Sequence, residues 1–142
     1  VVLWAWHLPS LYDLAVRNDA VHAVQHASFF TTAFSFWWAL AHPRGAFGRA
    51  RGGAILFIFA AALQSGALGA LLALSADTWY SAHHETAPAW GLTPLADQQI
   101  GGGIMWLPAS FIYLAALGLV FRAWMAESER RVERAEAIAR AR

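Results

Sequence analysis

The residues best equipped for chemistry in this sequence are histidines and a methionine at helical spacing. His22 and His26 stand four apart, so on a helix both imidazoles leave from one face. Asp97, Gly101 and Met105 repeat that spacing inside DQQIGGGIMW, residues Asp97 to Trp106. Met105 then lies ~12 Å along the helix from Asp97, at 1.5 Å per residue. His7 ends the aromatic opening VVLWAWH. Imidazole suits copper, zinc and iron, and a thioether favours Cu(I). A His/Met set without carboxylates among the direct ligands therefore leans to copper. The expected ligands are His7, His22, His26 and Met105, meeting in one pocket. Asp97, Gln98 and Gln99 would orient them or guide the ion in.

Each of these residues also has a plainer reading. Two histidines in an apolar helix can simply bond to neighbouring carbonyls. A lone methionine is more often packing than ligand. Asp97 suits the first turn of a helix, where the dipole favours an acid. Gly101, Gly102 and Gly103 serve either close helix packing or a loosened backbone facing a cavity. His83 and His84 are adjacent in a loop, where histidines are usually solvated. Haem is the rival to copper, but two histidines one turn apart cannot both ligate it, because its axial ligands come from opposite faces. Hydrolytic zinc is weaker still, since no Glu stands by the pair as a base.

The elements that must position these groups belong to a membrane. Of the 142 residues 58% are hydrophobic and 13% charged, with mean hydropathy +0.42. Soluble domains carry about 25% charged residues. A net charge of +1 gives no electrostatic case for nucleic acid, and with no cysteine there is neither a disulfide nor a thiolate site. Three long runs are expected to span the bilayer, at residues 20–41, 53–75 and 97–124, each near the ~20 residues a crossing needs. The chain is thus an all-α polytopic bundle, and the opening VVLWAWH reads as the end of a further helix. Residues 10–19 suit a short surface helix. Thr93 and Pro94 mark the start of the last long helix.

The basic residues are all Arg. Arg44, Arg49 and Arg51 in the loop 42–52, and the charged tail 125–142, place those segments in the cytoplasm by the positive-inside rule. Residues 8–19 and 76–96 then lie outside. The tail reads as a continuous helix, with Glu127–Arg131 and Glu136–Arg140 at i, i+4. Ala62, Gly66, Ala70 and Ser65, Gly69, Ala73 form two rows of small residues that allow a close neighbour. Gln64 sits between them and needs a partner on another helix.

WHLPSLYDLAV (Trp6 to Val16), HAVQHASFF (His22 to Phe30), FWWAL (Phe36 to Leu40) and DQQIGGGIMW follow in order over most of residues 4–124. Together they resemble the C-terminal half of the CtaG-like cytochrome c oxidase assembly family, with DQQ-x-x-G-x-x-MW the distinctive piece. That resemblance implies a non-enzymatic role in maturing a haem–copper oxidase, delivering copper to an oxidase subunit. It carries over His7, His22, His26, Asp97, Gln98, Gln99, Met105 and Trp106. Family members are longer, with further spans before this region. The expected partners are an oxidase subunit and the lipid bilayer, with a homo-oligomer compatible and nucleic acid excluded. Two other classes stay open: a membrane electron-transfer subunit binding haem or quinol, and a metal-free scaffold.

Overall fold

The computed structural model describes residues 1–42 and 51–141, with helices joined by turns and no strand among them. In chain order they are α1 (Val2–Trp6), α2 (Pro9–Arg17), α3 (Asp19–Ala41), α4 (Arg51–Leu74) and α5 (Pro94–Arg140). Two short 3-10 turns, Ser81–His83 and Ala87–Trp90, shape the link from α4 to α5. Most of the basic loop, residues 43–50, lies outside the described residues.

Local chemistry sets each boundary. Pro9 cannot continue α1 but suits the first position of α2. The Asn18 side chain accepts from the N–H groups of Ala20 and Val21 and so opens α3. Thr93 accepts from the Ala96 N–H at 3.1 Å, with Pro94 next, as the sequence predicts for α5. α5 then runs 47 residues without a break, through Pro108 and into the charged tail. Both predicted tail pairs form there, Arg131 to Glu127 at 2.6 Å and Arg140 to Glu136 at 2.8 Å.

Of the three expected spans, two helices are long and apolar enough to cross a membrane, Gly52–Leu74 and Pro94–Arg140. The third, α3, has the length at 23 residues but not the hydropathy. His22, Gln25, His26, Ser28, Thr31, Thr32 and Ser35 lower it. The four hydroxyls among them donate to carbonyls of their own helix three or four residues back. Such a bond satisfies the hydroxyl without outside help.

α4 is the central helix, burying Ala54, Ile58, Ser65, Leu68 and Leu72. It pairs most extensively with α5. The contact is close because of glycine. A Cβ at Gly102 would stand 2.5 Å from the Ala73 nitrogen and 2.9 Å from the Gly69 carbonyl oxygen. A Cβ at Gly69 would stand 2.8 Å from the Cβ of Trp106. Small residues let two backbones meet this way, where lipid offers no hydrophobic drive to associate. Of the glycine triplet, Gly102 alone makes this contact; Cβ atoms at Gly101 and Gly103 would meet nothing within 4 Å. The far half of α3 leans on the pair through rings: Phe36 stacks on Phe57 at 4.9 Å, and Trp37 on Tyr113 at 6.2 Å.

α1 is wedged between α3 and α4. The Trp6 indole donates to Ser28 Oγ at 2.7 Å, and the Trp4 indole to the Gln64 carbonyl at 3.1 Å. The Gln64 side chain itself lines a cleft shared with Thr32, Ser35 and Phe36 of α3.

Candidate functional site

A cavity of about 370 Å³ opens where α1, α2, the α4–α5 link and the start of α5 meet. His7, Tyr12, Tyr80, His83, Asp97, Gln98, Gly101 and Met105 are among its walls. The missing side chain of Gly101 helps keep it open, since a Cβ there would point into free space.

His7 is prepared as a ligand. Its Nδ1 lies 2.7 Å from the Leu3 carbonyl oxygen, which can only accept. Nδ1 therefore carries the proton and Nε2 keeps its lone pair. A carbonyl behind a ligating imidazole is the usual way such a ring is oriented. The carbonyl of His7 in turn accepts from the Tyr80 hydroxyl at 3.1 Å. Burial, with Tyr12 and Asp13 nearby, pushes the Tyr80 hydroxyl far above its ordinary range, so it stays a donor.

Tyr12, His83 and Asp97 form a second group on the same cavity. The Tyr12 hydroxyl lies 2.9 Å from His83 Nε2, and His83 Nδ1 lies 3.4 Å from Asp97 Oδ2. Burial raises the Tyr12 hydroxyl, and the charges of Asp97 and Asp13 add to that. With Tyr12 donating to Nε2, the proton of His83 sits on Nδ1 and faces the carboxylate. Tyr12 also stacks on Tyr80 at 3.9 Å.

α2 is held over the cavity by its polar face. The Asp13 carboxylate accepts from the Ser81 hydroxyl and from the N–H groups of Ser81 and Ala82. Arg17 donates to Ser81 Oγ at 3.1 Å. Burial alone would raise the Asp13 carboxyl; those hydrogen bonds and Arg17 outweigh it and hold the group below the usual carboxylate range. The helix expected on the bilayer surface thus turns its charged face onto the α4–α5 link.

The expected ligand set divides in two. His7 and Met105 share the cavity, and Asp97 stands with them. His22 and His26 do not: Gln25 takes the buried position of that helix turn, and both histidines are exposed. Their rings stack on one another, with the two Nε2 atoms 2.7 Å apart. The reason is rotational. Four residues advance a helix by just over a turn, so 22 and 26 stay together while 25 points elsewhere. Convergence of all four ligands on one pocket is therefore not realised. Among the described residues, no three His, Asp or Glu side chains gather closely enough to hold a metal ion.

The polar residues beside Asp97 serve the backbone. Gln98 is buried; its oxygen accepts from the Trp79 N–H at 2.6 Å and its nitrogen donates to the Asp77 carbonyl at 3.1 Å. Gln99 donates to the Ser75 carbonyl at 2.9 Å, just past the end of α4. Trp106 lies across the gap left by Gly66 and Gly69. Sequence reasoning missed Tyr12 and Tyr80 and set His83 in solvent, while His84 is indeed exposed. No spacing rule ties Tyr12 to His83, 71 residues away. The only hint was that Tyr12 falls inside WHLPSLYDLAV.

Comparison with known proteins adds one finding. No curated protein and no solved structure matches the chain. A family model, cytochrome c oxidase caa3 assembly factor, matches residues 1–127. That span takes in α1 to α4, the cavity and the apolar part of α5, and on it the chain belongs to the cytochrome c oxidase caa3 assembly factor family.

Proposed function

We propose that the chain is a multi-pass membrane protein that holds copper at the His7–Met105 cavity and passes it to an oxidase subunit. It acts as a carrier and performs no bond-making chemistry of its own. The supporting observation is the donor pair on one cavity: an imidazole with Nε2 free to coordinate and a thioether, the combination that favours Cu(I). Asp97 on the same wall gives an arriving cation a carboxylate to approach. α3 joins α4 and α5 in the bilayer, its hydroxyls bonded back to their own helix and its Phe30, Phe34 and Trp38 side chains turned outward. Residues 42–52 and 125–142 then face the cytoplasm and the cavity faces outside.

The test is copper content after purification in detergent under reducing conditions. Near-stoichiometric Cu(I) is expected, falling to background in His7→Ala combined with Met105→Leu. Retention of Cu(I) in that variant would overturn the assignment. A Soret band in the visible spectrum would instead mark a haem subunit. Normal oxidase assembly in the copper-free variant would favour a scaffold. Because the chain has no cysteine, Glu85→Cys and Ser128→Cys report topology cleanly, with only the first expected to react with an impermeant thiol reagent in intact cells.

A further inference from the structure

We infer that His22 and His26 form a second metal site, outward-facing and separate from the cavity, for a borderline divalent cation such as Cu(II) or Ni(II). Both side chains are exposed on the first two turns of α3. Their rings lie nearly parallel, 17° apart, with centroids separated by 4.6 Å, yet the Nε2 atoms approach to 2.7 Å. The rings therefore lean together at their Nε2 ends. Among the described residues each has the other as its hydrogen-bond partner, one Nε2 donating to the other.

A cation can replace the shared proton with little movement. Nitrogen ligands stand ~2.0–2.1 Å from a metal. In the tetragonal geometry of Cu(II) or Ni(II), two such nitrogens at a right angle lie about 2.9 Å apart. The pair needs to open by only a few tenths of an ångström, which two exposed side chains accomplish by small rotations. The helix does the rest, since i, i+4 spacing holds both rings on one face in one register. Two imidazoles leave the remaining coordination positions open. Water fills them in the isolated protein, and a partner's own ligand can take them on contact, so the pair is built for exchange rather than storage. It differs from the cavity in donor type, with two nitrogens and no sulfur, and does not depend on copper being held there.

The experiment is Cu(II) titration of the detergent-purified full chain under non-reducing conditions, read by electron paramagnetic resonance. One Cu(II) with two equatorial nitrogens is expected. His22→Gln and His26→Gln should each reduce the count to one nitrogen and weaken binding at least about tenfold, the loss already incurred when a group that merely orients a ligand is removed. The double variant should lose the signal. Val24→Gln, on the exposed part of the same helix, controls for added polarity and should change nothing. His7→Ala should leave the two-nitrogen signal intact even where it abolishes Cu(I) retention. Circular dichroism confirms that each variant is folded. An unchanged nitrogen count in the double variant would overturn the proposal. So would a wild-type signal that disappears in His7→Ala.

Discussion

The α4–α5 crossing and the cavity above it share the same stretch of α5, yet opposite means hold them together. At the crossing, Gly102 and Gly69 lack side chains, and two backbones touch where any Cβ would intrude. One turn toward the helix start, Gln98 and Gln99 reach across to carbonyls and an N–H of the α4–α5 link. Asp13 does the same from α2. The crossing is specified by absent atoms and the cavity rim by polar side chains satisfying loop backbone. A steric contact fails when anything is added, and a polar one fails when a partner is removed. The first makes a rigid hinge-line for the bundle. The second leaves room at the cavity, because hydrogen bonds hold the rim at its edges and nothing need fill its middle.

Four substitutions sharpen that contrast. Gly102→Leu should be the most damaging, at more than about 3 kcal/mol, the upper end for overpacking, because the atoms it meets are backbone. Gly103→Ala should cost nothing or raise the melting temperature, since its Cβ meets open space and alanine is the better helix residue. Thermal melts in detergent decide between them, and equal losses would refute the steric account. Gln98→Leu should cost about 1–3 kcal/mol, as it strands the Trp79 N–H and the Asp77 carbonyl. Faster hydrogen exchange at the Trp79 amide would locate the damage.

Asp13 is the pH-sensitive tie. Its folded-state value lies below the ordinary ~3.9, so the stability it lends is complete above that pH and fades as pH falls through the lower folded value. The melting temperature should therefore drop in acid below about pH 4, and Asp13→Asn should flatten that part of the curve. Glu136→Gln on the tail should be the mildest, within about 0.5 kcal/mol, because both partners of its ion pair are exposed. A larger loss would mean that the tail is packed against something.

Much of this architecture could be read from residue order. The starts of α3 and α5 follow from Asn18 and from Thr93–Pro94, whose bonds are made within one turn. The close crossing follows from the small-residue rows, although the structure draws on both, with Gly66, Gly69 and Ala73 facing α5. The number of spans was harder to read, because α3 is long enough but carries histidine, glutamine and hydroxyl groups whose cost depends on where they bond. The site was half legible. His7 and Met105 do share a cavity, while His22 and His26 turn away from it by the rotation of a single helix.

From its residues alone, then, this chain had already set its helical elements, their caps, its small-residue contact and its kinship through DQQIGGGIMW and the paired histidines. Each of those is local, written by propensity and by i, i+4 geometry within one segment. Folding alone assigned which face of α3 looks inward, brought Tyr12 to His83, and converted Gln98 and Gln99 from candidate ligand guides into ties for a loop. Those outcomes turn on the relative rotation of helices far apart in the chain, and that angle is set by how their side chains pack against one another.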